Sequence, residues 1–419
     1  MKKKALCSIL ALVLLFAISF QLAGCNRIKA ENMMEGISGG NVMGRSADDP
    51  FVSCQMHLAV MLFQSSVAAG KNSNILISPL SIQLALAMTA NGANGQTREE
   101  MEALLGSGIS LEDLNEYLHT YVNSLPSEEK YKLHIANSIW FRDDENRLHV
   151  EQDFLQRNAD YYGAQIYKAA FDTQTLRDVN TWVKQNTDGM IHKILDDIDR
   201  DDVMYLINAM AFDAQWQTGY QSSDVRTREF TNIAGKKTSV QMMHSEEGIY
   251  LQDDQATGFM KPYQGGKYSF AALLPNEGVD IYDYIAGLTG EGLANTIGNA
   301  WSVDIAVNLP KFSYENEITM NSILAQLGMP TAFDPASADF SKLGYSTAGN
   351  IYIGNVKHKT FICVDEAGTK AAAVTDVTMK DLCAVYRTVT LDRPFVYMII
   401  DNQTNLPIFM GVVADIPQT

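Results

Sequence analysis

The spacing of apolar residues changes from helical to strand-like along this 419-residue chain. In the first half, Phe51, Cys54, Leu58 and Met61 recur every three or four residues, as in a helix with one buried face. In the second half, apolar and polar residues alternate over 301–309, which is the period of a half-buried strand. The pattern therefore predicts a mainly helical first half and a sheet-rich second half.

Local signals predict where two helices of the first half begin. Ser78 followed by Pro79 predicts a helix start, because serine caps free backbone amides and proline suits the first helical turn. Gly92 predicts the end of that helix. Thr97 and Glu100 have the spacing of a capping box, so a further helix is predicted after Thr97.

The C-terminal part is predicted to contain a helix over 317–327 and a β-hairpin. The apolar runs 395–400 and 408–413 flank a polar turn, and their continuous hydrophobicity indicates strands buried on both faces. No Pro/Gly/Ser-rich seam and no internal repeat divides residues 50–419. The sequence therefore predicts one large α+β domain over this range.

The N-terminus has the features of an export signal. Three lysines follow Met1, and residues 5–20 form an apolar run that is short for a membrane-spanning helix. The sequence Leu-Ala-Gly-Cys, ending at Cys25, resembles the lipobox of bacterial lipoproteins, in which the cysteine is lipidated. We therefore predict a signal peptide over 1–24 and a lipid anchor on Cys25 that holds the protein outside a bacterial membrane. The alternative is an ordinary signal peptide with a chance cysteine.

The segment that follows the signal is predicted to be a flexible tether. Residues 25–49 are rich in glycine, asparagine, serine and charged residues and lack an apolar pattern. A random coil of this length would span about 25–30 Å, so the domain would stay within a few nanometres of the membrane.

Composition and motif content exclude several functions. The net charge is −17, and it becomes −20 once residues 1–24, with three lysines and no acidic residue, are removed. This charge argues against a nucleic-acid partner.

The cysteines and the known catalytic and metal-binding motifs give no candidate site. Cys54, Cys363 and Cys383 are too few and too widely spaced for a disulfide framework or zinc site. The acidic cluster 196–202 lacks the glycine and glutamate of a calcium loop, and no His-Glu-x-x-His, Gly-x-Ser-x-Gly or phosphate loop occurs. We therefore expect no metal, no cofactor and no catalytic residue.

A segment with unusually small side chains precedes the C-terminal hairpin. If residues 369–380 form a strand, one face is small or apolar and the other carries the charges. The first face consists of Thr369, Ala371, Ala373, Thr375, Val377 and Met379. Buried strands ordinarily use larger side chains. Two interpretations follow: a segment that slides between neighbouring strands before it packs, or a poorly packed edge strand with an Ala-rich helical tendency.

Several motifs in a fixed order resemble those of the serpin family, from about residue 51 to 416. They are Asn-Ile-Leu-Ile-Ser-Pro-Leu-Ser from Asn74, Asn-Ala-Met-Ala-Phe from Asn208, Asn-Leu-Pro-Lys-Phe from Asn308, Asp-Arg-Pro-Phe from Asp392 and Leu-Pro-Ile-Phe-Met-Gly from Leu406. The resemblance implies an α+β domain with helices packed around a large central sheet, further sheets, and an exposed reactive-centre loop at about 366–388.

The resemblance also implies roles for particular residues. A polar cluster under the central sheet would comprise Ser78, Ser81, Asn208 and His358. The alternative for His358, a lone histidine in an apolar-flanked strand, is a hydrogen-bonded core residue. The top of the sheet, where the loop enters, would comprise Trp216, Lys311 and Glu366, with an ion pair between the last two. The hinge of an inhibitory member would comprise Glu366, Gly368, Thr369, Ala371, Ala372 and Ala373. Lys370 departs from the acidic residue common at its position, but it lies on the outward face.

By the same resemblance, the chain is an irreversible inhibitor of an extracellular serine protease, acting as a monomer without a cofactor. The hinge length places the attacked bond between Leu382 and Cys383, to within one or two residues. Leucine before the bond favours a chymotrypsin-like or elastase-like target, whereas slippage to Lys380 would favour a trypsin-like enzyme. The alternatives are inhibition of a cysteine protease, a non-inhibitory serpin that serves as a binding or scaffold protein, and an unrelated surface lipoprotein.

Overall fold

The structure, a computed structural model, describes residues 27–143, 146–199, 202–369 and 387–416. Helices occur mainly in the first half of the chain. They are α1 Asp49–Ala69, α2 Pro79–Ala90, α3 Gly95–Gly106, α4 Leu111–Ser124, α5 Gln152–Tyr162, α6 Thr173–Asn186, α7 Ile281–Gly287, α8 Gly290–Gly298 and α9 Asn321–Gln326.

The strands of the described residues form two large sheets and one small one. In chain order they are β1 Glu31–Asn32, β2 Ile75–Ile77, β3 Tyr131–Arg142, β4 Leu148–Val150, β5 Gln165–Ala169, β6 Met204–Gln215, β7 Val225–Thr231, β8 Lys237–Gln252, β9 Ala256–Pro262, β10 Tyr268–Pro275, β11 Trp301–Pro310, β12 Phe312–Thr319, β13 Gly344–Ser346, β14 Asn355–Val364, β15 Gly368–Thr369, β16 Thr388–Thr390, β17 Phe395–Asp401 and β18 Pro407–Val413. The central sheet has the order β1-β5-β3-β6-β15-β14-β12. The second has the order β16-β11-β8-β9-β10-β17-β18-β2, with β7 paired to β8, and β4 pairs with β13.

Helix α2 lies between the two large sheets. All of its residues are buried, and it contacts β3 and β6 of the central sheet and β18 of the second sheet. The predicted helix start is confirmed, since the Ser78 side chain accepts a hydrogen bond from the amide of Ser81 and Pro79 is the first helical residue. Among the described residues, α1 is long and apolar enough to cross a membrane, but most of that stretch is buried in the core.

The C-terminal hairpin agrees with the sequence pattern. Strands β17 and β18 pair antiparallel, and every residue of both is buried. The strand predicted over 301–309 is β11. These strands continue the second sheet and place the hairpin against α2. The α+β architecture predicted from the resemblance is confirmed.

Two helix predictions were wrong at their starts. Helix α3 begins at Gly95, so Thr97 lies inside it, and Glu100 instead accepts hydrogen bonds from Thr331 at 2.6 and 2.9 Å. The helix predicted over 317–327 begins only at Asn321. Residues before it belong to β12, because antiparallel pairing with β14 overrides their local helical preference.

The predicted tether over 25–49 is wrong for residues 27–48, which lie against the domain. Strand β1 pairs with β5 at the edge of the central sheet, and the buried Asp178 carboxylate accepts the amides of Lys29 and Ala30 at 3.0 and 2.8 Å. Arg45 forms an ion pair with Asp113 at 2.7 Å. Composition missed this docking because part of it uses the backbone, which any residue type provides, and because the apolar side chains that also pack against the core, Met33, Met34 and Ile37, follow no regular spacing.

Candidate functional site

The central sheet is closed along most of its length and parted at one end. Strands β6 and β14 pair in parallel from Tyr205 and Asn355 to Ala211 and Phe361. Beyond that point, the short strand β15 lies between them and is antiparallel to both. The chain therefore enters the sheet directly after β14, and the neighbouring strands are already separated where it does so.

Gly368 and Thr369 fit tightly at this position. A side chain on Gly368 would meet the Ala214 carbonyl oxygen at 2.0 Å, so only glycine allows this close approach. Thr369 is 1% exposed, and its hydroxyl lies 2.6 Å from the Tyr263 hydroxyl. Burial raises the pKa of Tyr263 well above its ordinary value, so the phenol keeps its proton. The predicted exposed loop at about 366–388 is therefore wrong at its start: Gly368 and Thr369 lie within the sheet.

The turn before Thr369 is held by β6 and the residues that follow it. The Trp216 indole donates to the Asp365 carbonyl at 2.9 Å, and the Trp216 amide donates to the Ala367 carbonyl at 2.9 Å. The Tyr220 amide donates to the Glu366 carbonyl at 2.9 Å. Trp216 also stacks on Tyr263, with ring centroids 4.6 Å apart and planes 9° apart. One aromatic surface thus contacts both the turn and the hydroxyl of Thr369.

Lys311 and Glu366 form the expected ion pair at the rim of this site. Their charged atoms are 2.8 Å apart, and about a third of each side chain is exposed. Burial is the largest single influence on Glu366 and opposes its ionisation, but the hydrogen bond and charge of Lys311, together with a backbone hydrogen bond, outweigh burial and lower the pKa of the carboxyl group. Solvent screening leaves such a pair about 0–1 kcal/mol of net stability.

The four residues predicted to cluster under the sheet lie together and are fully buried. His358 accepts the Ser78 amide at Nε2, 3.0 Å away, and its Nδ1 contacts the Asn208 side-chain oxygen. The Asn208 amide nitrogen donates to Ser81 and to Asn137. The network links the start of α2 to the paired strands β6 and β14, which would have to separate if a new strand entered.

Burial lowers the pKa of His358 to about 3 from its ordinary value near 6.5. The folded protein therefore holds a neutral ring, whereas the unfolded chain takes up a proton below about pH 6.5. Stability from this group is complete above pH 6.5 and is lost as the pH falls toward 3. We expect unfolding experiments in denaturant to show a loss of about 2 kcal/mol between pH 7 and pH 5.

A variant pair isolates this effect from other titrations. His358→Asn carries no titratable ring, so its stability should change little between pH 7 and pH 5, although it should be less stable at pH 7. His192 is exposed, and His192→Gln should keep the pH profile of the parent protein. Equal pH profiles for the parent and His358→Asn would contradict a neutral, buried His358.

Some predicted site residues lie outside the described part of the chain. They are Cys25, Ala371, Ala372, Ala373, Leu382 and Cys383. Sequence reasoning missed two residues that the structure adds, Asn137 and Tyr263. Asn137 lies on β3 among other polar residues, so its sequence context gives no signal of a buried network. Tyr263 follows a proline at a strand end, and nothing in the local pattern distinguishes it from an ordinary core tyrosine.

Comparison with known proteins agrees with this geometry. A family model described as "Serpin (serine protease inhibitor)" matches residues 53–416. Human neuroserpin is 28% identical over 379 residues, covering 86% of this chain and 90% of that protein. Mouse leukocyte elastase inhibitor A is 30% identical over 380 residues, covering 85% of this chain and 97% of that protein. The chain belongs to the serpin family, whose members are generally protease inhibitors and not enzymes.

A solved serpin structure adds information on conformation. Tengpin, a thermophilic serpin, in its native state is 50% identical, with a TM-score of 0.90 and coverage of 93% of this chain and 100% of that one. The latent state of tengpin gives a TM-score of 0.80 over 90% of this chain. The fold described here is therefore more similar to the native than to the latent arrangement.

Proposed function

We propose that this serpin is an irreversible inhibitor of a serine protease of the chymotrypsin or elastase type. The protease serine attacks the carbonyl carbon of Leu382, the bond to the Cys383 nitrogen breaks, and that nitrogen takes a proton and leaves as a new N-terminus. Residues after Thr369 then enter the central sheet between β6 and β14. Gly368 to Leu382 would span about 50 Å as a strand, which is enough to carry the bound protease across the domain and distort its oxyanion hole.

The observation that carries this proposal is the position of β15. Thr369 is buried between β6 and β14, in the antiparallel orientation that the rest of the inserting segment would need. We call that segment, from Lys370 to Leu382, the arm. The arm would therefore extend an existing strand and would need no new nucleus. The small inward face predicted for Ala371 and Ala373 suits passage between the two strands.

The target class rests on the residue before the attacked bond. Leucine suits the apolar primary pocket of chymotrypsin-like and elastase-like enzymes, and a relative at 30% identity is named leukocyte elastase inhibitor A. Attack after Lys380 would instead suit the acidic pocket of a trypsin-like enzyme. The predicted signal peptide and lipid anchor on Cys25 would place the reaction at the outer face of a membrane.

Incubation with a panel of elastase, chymotrypsin, trypsin and papain tests the proposal. We expect elastase or chymotrypsin to form an adduct that survives a denaturing gel, because the acyl bond is trapped before water can hydrolyse it. Mass spectrometry should find a released C-terminal peptide that begins at Cys383. If every protease cleaves the loop and turns over freely, the chain is a substrate and the inhibitory function is wrong.

Two loop variants provide matched controls. Leu382→Arg should move adduct formation to trypsin, whereas Lys380→Ala should leave the reaction with elastase or chymotrypsin unchanged. The opposite pattern, with Lys380→Ala abolishing the adduct, would place the attacked bond after Lys380.

A further inference from the structure

A buried ion pair lies beneath the site where Thr369 docks. Within the described parts of the chain, Lys261 is the only buried lysine or arginine. Its ammonium nitrogen is 2.6 Å from a carboxylate oxygen of Glu247, and the two side chains are 2% and 8% exposed. Lys261 belongs to β9 and Glu247 to β8, two adjacent strands of the second sheet.

The Lys261 ammonium also contacts two aromatic faces. It lies 4.5 Å from the centre of the Tyr220 ring and 5.5 Å from that of the Trp216 ring. Both distances are within the range of cation–π attraction. Trp216, Tyr220 and Tyr263 form what we call the hinge floor, because all three contact residues 365–369.

The carboxylate is fixed by further hydrogen bonds. Ser245 donates to the same Glu247 oxygen at 2.7 Å, and the Ser245 hydroxyl lies 3.2 Å from the Tyr220 hydroxyl. Lys261 therefore attracts the face of the Tyr220 ring, while Ser245, which donates to Glu247, lies within hydrogen-bond distance of the Tyr220 hydroxyl. The pair acts on Tyr220 from two directions.

Stability alone does not account for a buried ion pair here. Desolvation of two charges costs several kcal/mol per ion, and a well-packed apolar pair of similar volume is often as stable or more so. What such a pair provides is a defined geometry. Here the defined geometry is that of the aromatic rings against which Thr369 docks. The pair itself is neutral, in a chain whose net charge is −17.

We propose that Lys261 and Glu247 are positioning residues for loop insertion: together they hold the hinge floor where Thr369 enters the sheet. This inference rests on the proposed inhibitory function for its consequence, but the positioning itself concerns the uncleaved protein. Without the pair, Trp216 and Tyr220 can move, and the hydrogen bonds that they donate to the carbonyls of residues 365–367 weaken. Thr369 then docks less firmly, and insertion after cleavage begins more slowly.

The decisive variant is the double substitution Lys261→Met with Glu247→Gln, which removes both charges and leaves no unpaired ion. Hydrogen exchange with mass spectrometry on the uncleaved protein measures protection of the amides of residues 367–369. We expect exchange there to be at least about tenfold faster in the double variant. With a protease that the parent inhibits, the number of inhibitor molecules consumed per protease should rise several-fold, while the rate of loop cleavage stays unchanged.

Two further variants separate positioning from general stability. Lys261→Arg keeps the charge and the aromatic contacts, and should retain most of the protection. Glu100→Gln weakens the remote pair with Thr331, and should lower the melting temperature without changing exchange at residues 367–369. If the double variant does not fold, Glu247→Asp, which shortens the side chain by one methylene, should give an intermediate increase in exchange.

Unchanged exchange at residues 367–369 in the double variant, or in Glu247→Asp where that variant is used, would overturn the inference. So would a faster exchange that Glu100→Gln reproduces, since it would reflect stability alone. Failure of the proposed function is a separate result: the parent protein would form no adduct with any protease, while the exchange experiment would still decide the role of the ion pair.

Discussion

Thr369→Arg is expected to convert the proposed inhibitor into a substrate. Thr369 is buried between β6 and β14 and contacts Tyr263, so arginine would place an unpaired charge inside the sheet. That burial costs several kcal/mol, and each 1.4 kcal/mol slows insertion tenfold. Hydrolysis of the acyl-enzyme should then precede insertion. Densitometry of denaturing gels should show at least a tenfold rise in inhibitor consumed per protease, with cleavage still after Leu382.

Two control variants test the reason for this effect. Thr369→Ser retains the hydroxyl that meets Tyr263 and should inhibit nearly as well as the parent. Lys370→Glu changes a neighbouring charge on the face predicted to point outward, so inhibition should persist. If Thr369→Arg inhibits normally, or if Lys370→Glu is as damaging, the assignment of the inward face is wrong.

Local sequence signals predicted elements that depend on residues close together in the chain. The alternation over 301–309 predicted strand β11, although the first residues of that strand, including Trp301, are exposed. The apolar runs after residue 394 match β17 and β18, which are buried along their whole length. The start of helix α2 was predicted correctly from Ser78 and Pro79, because capping depends on a few adjacent residues. Such signals need no knowledge of distant contacts.

Predictions failed where a distant partner decides the structure. Residues 27–48 looked like a tether, yet Asp178 and the edge strand β5 supply partners for their backbone. Residues 317–319 joined β12 because β14 lies beside them. In both cases local composition carried no information on the partner, which comes from more than 30 residues away in the chain.

The candidate site shows the same division. Family resemblance indicated Ser78, Ser81, Asn208 and His358, and these residues share one hydrogen-bonded network. It did not indicate Lys261, whose partner Glu247 lies on another strand and whose aromatic contacts, Trp216 and Tyr220, follow β6 in the chain. A lysine within an apolar strand is a signal that something must neutralise it, but the sequence does not say what.

The parting of the central sheet bears on its energetics. In the uncleaved protein, β6 and β14 share one parallel ladder of seven residue pairs. A fully inserted arm would replace it with two antiparallel ladders, in the direction that β15 already has. Antiparallel pairing is slightly more stable per residue than parallel pairing. Opening the sheet therefore breaks one ladder of backbone hydrogen bonds and the buried network around His358. Insertion of the arm would form two ladders of backbone hydrogen bonds.

We expect the loop-cleaved protein to melt well above the intact protein, although cutting a chain normally adds freedom and weakens a fold. Ordering the arm costs about 1–2 kcal/mol per residue, which its hydrogen bonds, at about 1 kcal/mol each, roughly offset. The small inward face then adds the net gain: roughly 400 Å² of apolar surface is worth about 10 kcal/mol. Since unfolding entropy is about 2 cal/mol/K per residue, the midpoint should rise by about 13 °C. Calorimetry on intact and cleaved protein measures this shift, and cleaved Thr369→Arg, whose arm cannot enter freely, should gain much less. A cleaved parent that melts at or below the intact protein would mean that the arm does not insert, and the chain would then be a non-inhibitory serpin.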